Sequence, residues 1–141
     1  MSELPSVLIA ASAAVIFVLG ALHLLYTFRG TKLHPRDAEL RKRLEQVSPV
    51  ISRETTMWKA WVGFNASHSY GALLFGAIYG YLALLHGAFL LQSRFLLGLG
   101  VLVLVGYAFL AKRYWFSIPF RGILIAAVLY VVALVINVTA P

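Results

Sequence analysis

Four long stretches of continuous apolarity, at about residues 6–28, 61–85, 95–111 and 120–138, divide the chain. Each approaches or exceeds the length that a helix needs to cross a bilayer core about 30 Å thick, which takes roughly 17–25 residues. The pattern predicts an all-α integral membrane protein: a single domain over residues 1–141, built as a four-transmembrane-helix bundle. The first stretch has no basic residue ahead of it and is too long for a signal-peptide core, so it reads as a retained span.

The ends of these stretches carry their own signals. Pro5 suits a first helical turn, and Ser117 with Pro119 makes a cap-like start for the fourth span. Spans three and four are joined by a very short connection, which predicts an antiparallel hairpin. Gln92, Ser93 and Arg94 mark an equally short link between spans two and three. Ser52 resembles an N-cap with Glu54 in the first turn, so the second helix is expected to begin well before its hydrophobic part.

Between spans one and two lies a different pattern. Residues 35–47 read PRDAELRKRLEQV, with Leu40, Leu44 and Val47 on one helical side and charges on the other. This predicts an amphipathic interfacial helix in the first cytoplasmic loop, ended by Ser48 and Pro49. It is read as an anchored connector, with a lid or a docking surface for a partner as the functional alternative.

Composition agrees with the pattern. Of 141 residues, 61% are hydrophobic and 12% charged, against roughly 45–50% and 25% in soluble domains. There is no cysteine, which excludes disulfides, thiolate metal sites and redox-active thiols.

The net charge of +7 would suit nucleic acid if it lay along one soluble face, but it collects at helix flanks. Arg29, Lys32, Arg36, Arg41, Lys42, Arg43, Arg53 and Lys59 separate spans one and two, while Lys112, Arg113 and Arg121 flank the link between spans three and four. Arg94 alone lies on the opposite side. The positive-inside rule then puts both termini outside and the basic loops in the cytoplasm, and nucleic acid is not an expected partner. Trp58, Trp61 and Trp115 gather at the same boundary, where an indole buries its ring and keeps its N–H hydrated. Size and loop asymmetry suggest a bacterial inner membrane.

Against this background the segment GFNASHSYG, Gly63 to Gly71, stands out, because it sets Asn65, Ser67, His68, Ser69 and Tyr70 inside a span. Polar groups there are costly and mark function more often than elsewhere. His23 and His68 lie roughly 7–11 Å inside the same membrane face at 1.5 Å per residue, so the two imidazoles can meet. Asn65 and His68 share a helical stripe with Trp61, Ala72, Phe75 and Tyr79, and Gly20, His23 and Thr27 share another. Tyr107 and Gly106 reach comparable depth on span three. Small residues recur on two sides of span two, Ala72, Gly76 and Gly80 on one and Gly63, Ser67 and Gly71 on another, so neighbours are expected on both.

Three chemistries fit these residues. A b-type haem could take His23 and His68 as axial ligands, Gly20 and Gly106 giving room and Arg29, Lys112, Arg113 and Arg121 meeting the propionates at the rim. A quinone-like molecule or another lipid needs only a donor in an apolar slot, which His23, Asn65, His68, Ser69 and Tyr107 could supply. Alternatively, the polar groups hold helices together, each bond contributing about 0.6 kcal/mol in a membrane, and the chain is a non-catalytic accessory subunit of a larger membrane complex. A homo-oligomer or another membrane-protein partner is compatible with either role.

Absences narrow the field further. All five acidic residues, Glu3, Asp37, Glu39, Glu45 and Glu54, lie outside the expected hydrocarbon core, so the usual carboxylate relay of an ion-coupled transporter is missing. Two buried histidines fall short of a hydrolytic zinc site, and no metal ion other than haem iron is expected. Ser67 and Ser69 flank His68 in sequence but diverge by about 100° on a helix, so they form no nucleophile and base pair by adjacency. An acid–base role for His68 on a lipid would need His23 or Tyr107 as a second donor. His34 reads as a solvated cap and His86 as an interfacial group. The sequon at Asn137 abuts a span and is read as chance.

Overall fold

The structure, a computed structural model, describes residues 3–139. Among these residues 82% are helical and no strand occurs. Six helices follow in order: α1 (Leu4–Phe28), α2 (Ala38–Gln46), α3 (Met57–Leu85), α4 (Gly87–Gln92), α5 (Arg94–Tyr114) and α6 (Ser117–Thr139). Four of them, α1, α3, α5 and α6, are long and apolar enough to cross a membrane. Only 17% of the most apolar window of α5 is buried by protein. So much exposed apolar surface fits an integral membrane protein with a lipid bilayer around it.

Local chemistry explains the boundaries. Pro5 falls in the first turn of α1, where its missing N–H costs no intrahelical bond, and α1 ends at Gly30, whose φ of +80° follows the last turn. Asp37 caps α2, its carboxylate accepting from the N–H groups of Glu39 and Leu40. The start of α3 differs from expectation. Thr56, not Ser52, meets the helix, accepting from the Lys59 N–H at 3.3 Å, while Ser52 accepts from the Glu54 N–H in a separate turn. Ser93 caps α5 by accepting from the Leu96 N–H.

α4 was not expected at all. Residues 87–92 are too few to span a bilayer, and they turn inward instead: Leu90 and Leu91 are buried, and Asn137 Nδ2 donates to the Leu91 carbonyl at 3.1 Å. Asn137, the potential sequon residue, therefore has a packing role. His86 at the start of α4 is exposed and lies 3.2 Å from the Tyr81 hydroxyl through Nε2.

The described chain divides into two compact units. One contains the residues up to Leu19 with those from Ala72 onward, and the other contains residues 20–71. α1 and α3 each contribute to both.

The first unit holds the buried apolar core, including Ile9, Ile16, Phe75, Leu104 and Tyr130. Its helices are joined by hydrogen bonds from side chains to carbonyls: Ser12 Oγ to Ala126 at 2.7 Å, Tyr79 Oη to Leu96 at 2.7 Å and Tyr130 Oη to Leu97 at 3.2 Å. Two glycines make these approaches possible. A Cβ on Gly76 would stand 2.8 Å from the Ala13 carbonyl oxygen, and one on Gly100 would overlap the Tyr130 hydroxyl. Only the Gly76 side of α3 is packed in this way. Gly63, Ser67 and Gly71 are exposed, and a Cβ on Gly63 would meet nothing within 4 Å.

The second unit contains the C-terminal part of α1, the basic segment with α2, and the start of α3. Trp61 donates from Nε1 to the Leu33 carbonyl at 3.1 Å. Trp58 meets the His34 ring edge-on at 4.9 Å and lies beneath the Arg41 guanidinium at 3.4 Å. His34 is thus a packed residue and not only a solvated cap.

Replacing Gly100 by Val is expected to lower stability by about 2 kcal/mol, as overpacking does when no neighbour can move. Gly63→Ala should change it by less than about 0.5 kcal/mol. Unfolding of the two variants in mixed micelles, followed by circular dichroism, separates these outcomes.

Candidate functional site

The candidate site grows from two helix segments of the second unit. The last turns of α1 carry His23 and Thr27, four residues apart and therefore on one face. The first turns of α3 carry Trp61, Asn65, His68 and Ser69 with the same logic. These positions bring His23 and Asn65 into contact, Nε2 to Oδ1 at 2.9 Å. The His68 ring meets that of His23 edge-to-face, with centroids 5.2 Å apart and planes at 79°.

Hydrogen-bond direction in this cluster follows from the backbone. Asn65 Nδ2 donates to the Trp61 carbonyl at 2.8 Å, and a carbonyl can only accept. The amide nitrogen is therefore committed to the helix, and Oδ1 is the atom presented to His23. His23 must donate from Nε2, so its neutral form carries the proton there and keeps its lone pair on Nδ1. Asn65 thus acts as a fixed acceptor that selects one tautomer of its neighbour.

The hydroxyls nearby serve the helices. Thr27 Oγ1 donates to the His23 carbonyl at 2.8 Å, and Ser69 Oγ, fully buried, donates to the Asn65 carbonyl at 2.9 Å. Both bond back to residue i−4, the usual way a helix accommodates a hydroxyl in an apolar setting. Ser67 is exposed and donates to the Phe64 carbonyl. His23, Asn65 and His68 are each half-buried.

Each of the other expected site residues has its place within its own unit. Arg29 is exposed just after α1 in the second unit. Tyr107, Lys112, Arg113 and Arg121 belong to the first unit. There the half-buried Tyr107 ring lies 6.3 Å from that of Trp115, and the three cations are exposed. Gly106 is exposed, and a Cβ there would meet nothing within 4 Å. Among the described residues no group of three or more His, Asp or Glu converges as a protein-only metal site requires.

Haem ligation would need a lone pair from each imidazole on opposite sides of a macrocycle. In this arrangement the rings touch each other and His23 Nε2 is turned to Asn65, so ligation through that nitrogen requires the Asn65 bond to open. No family model matches the chain, and neither curated proteins nor solved structures give a match.

Asn65→Leu is expected to cost about 1 kcal/mol of stability, within the range measured for polar contacts between membrane helices. It should also release the tautomer of His23. Nitrogen-15 spectra of histidine-labelled protein at a pH where His23 is neutral should show Nε2–H for the native chain and a mixture for the variant. Equal mixtures in both would break the tautomer argument.

Proposed function

We propose that this chain is a small polytopic membrane protein that binds a lipophilic small molecule, quinone-like or lipid, at the polar cluster of His23, Asn65 and His68. The observation carrying this reading is the bond between two side chains, His23 and Asn65, with a second imidazole against it inside otherwise apolar segments. Such groups are expensive in a bilayer and can be re-partnered by a ligand carbonyl or hydroxyl entering from the lipid side. Ser69 fixes the α3 backbone beneath Asn65, and Arg29 supplies a cation just beyond the end of α1.

In the same reading the four long helices act as one bundle in a bacterial inner membrane. Both termini face the periplasm, and the basic loops face the cytoplasm. α2 lies in the interface with Leu40, Leu44 and Val47 towards the acyl chains; Leu40 and Val47 are exposed to that purpose, at 46% and 50%.

One observation favours a second reading. His23 and Asn65 already satisfy each other, and Thr27 and Ser69 are bonded within their own helices. Such a cluster can serve helix packing in an accessory subunit of a larger membrane complex, with α2 as the docking element.

Mass spectrometry of small molecules extracted from chain purified in mild detergent tests the first reading. A lipophilic compound should co-purify stoichiometrically, and His68→Leu should reduce its occupancy about tenfold, the equivalent of one good hydrogen bond. An unchanged extract from the His23→Leu/His68→Leu double variant would sink it. A stoichiometric protein partner lost on replacing residues 38–46 would support the accessory role. Absorption spectra before and after dithionite identify haem directly, through a Soret band lost in His23→Ala or His68→Ala.

A further inference from the structure

A second polar site of the same unit lies outside the histidine cluster and does not depend on it. Gly30, at φ +80°, ends α1, and the chain turns at once, the His34 N–H donating to the Thr31 carbonyl at 3.0 Å. That turn and the start of α2 border an open surface cavity of about 380 Å³ lined by Thr31, His34, Pro35, Arg36, Ala38 and Arg41. Its lining residues include two arginines, a histidine and a threonine, and no acidic residue.

The cations are not equivalent. Arg41 is fixed: its guanidinium stacks 3.4 Å above the Trp58 ring, Nη1 pairs with Glu45, and both Nε and Nη1 are buried, so its charge is held in place with little rotamer freedom left to lose. His34 also meets this indole, edge-on at 4.9 Å. Arg36 is exposed and, among the described residues, enters no ion pair or ring contact, so its charge remains available. The nearby acidic groups are committed elsewhere: Asp37 caps the N–H groups of Glu39 and Leu40, Glu39 lies 3.6 Å from Lys42, and Glu45 holds Arg41. Because Asp37 occupies the N-terminus of α2, selectivity has to come from the lining side chains and not from the helix dipole.

We propose that this cavity binds the phosphate of an anionic phospholipid headgroup. The chemistry recognised is a phosphate oxyanion, which suits the planar donors of arginine. The source is assigned by position: the cavity opens within a few residues of the end of a membrane-spanning helix, at the level where lipid phosphates are concentrated. Anionic headgroups are preferred over zwitterionic ones because a choline or ethanolamine cation would find two guanidinium groups and no carboxylate. Thr31 offers a hydroxyl to a phosphate oxygen or to a glycerol hydroxyl of the headgroup.

The test uses the full chain in mild detergent, with native mass spectrometry after titration with phosphatidylglycerol or phosphatidylcholine. One phosphatidylglycerol per chain should be retained in preference to phosphatidylcholine. Arg36→Gln should weaken that retention about fivefold, the effect of one cation at an anionic surface. Arg41→Lys keeps the charge but loses the fork and the stacking, and should weaken retention as well. Arg53→Gln, which removes an equal charge outside the cavity, should leave it unchanged. Equal retention of the two lipids, or equal loss in Arg53→Gln and Arg36→Gln, would overturn the proposal, since both mean diffuse attraction. Displacement of phosphatidylglycerol by millimolar inorganic phosphate would also overturn it, by assigning the cavity to a soluble phosphate. Circular dichroism of each variant confirms that the helices persist.

Discussion

Lipid gives helices no hydrophobic reason to leave it, because acyl chains are as apolar as the side chains they surround. What brings apolar helices together is then close contact and the hydrogen bonds that contact allows. In this chain both are visible at the same places. Gly100 leaves the gap through which the Tyr130 hydroxyl reaches the Leu97 carbonyl, and Gly76 lets α3 approach the Ala13 backbone. Ser12, itself small, donates to the Ala126 carbonyl where α6 also carries only a methyl group. Remove the small residue and the bond cannot form; remove the bond and the small residue has less to gain than lipid contact would give.

Those bonds share a feature that separates them from the histidine cluster. Ser12, Tyr79, Tyr130 and Asn137 all donate to backbone carbonyls, which belong to helices and cannot turn away. His23 and Asn65 instead bond side chain to side chain. A rotamer change of His23 alone ends that bond without disturbing any helix, because its acceptor is held by the Trp61 carbonyl whatever His23 does. Fixed acceptors suit permanent packing, while a movable donor on a fixed acceptor suits a contact that forms and breaks.

Much of this was legible in the sequence, and what was not has physical reasons. Four spans, the amphipathic segment before Val47 and the meeting of His23 with His68 follow from apolar length and from rise per residue, which a straight helix transmits over several turns. Helix caps are finer: Ser52 and Thr56 have the same chemistry, and only the path of the chain decides which one meets a free N–H. α4 was missed because a six-residue apolar helix and an apolar loop read alike until a partner such as Asn137 is known. Tyr79 fell on the stripe of Asn65 and His68, but its partner at the Leu96 carbonyl and the whole role of Tyr130 were invisible for a similar reason, since either hydroxyl could equally have pointed to an interface. The two small-residue faces of α3 were identical as patterns, and only contact with α1 distinguishes Gly76 from Gly63.

On the orientation and lipid-binding readings proposed above, one set of basic residues serves two demands. Positive charge after a span orients the chain during insertion, a role that needs only number and position. Orientation does not require that Arg41 be stacked on Trp58, that His34 meet the same ring edge-on, or that Asp37 be spent on a helix cap. Long cationic side chains have the most conformational freedom to lose, and fixing one costs about 2 kcal/mol of rotamer entropy. An aromatic platform and an ion pair offset that cost before any ligand arrives, which is the arrangement expected where a cation must recognise an anion and not merely attract it.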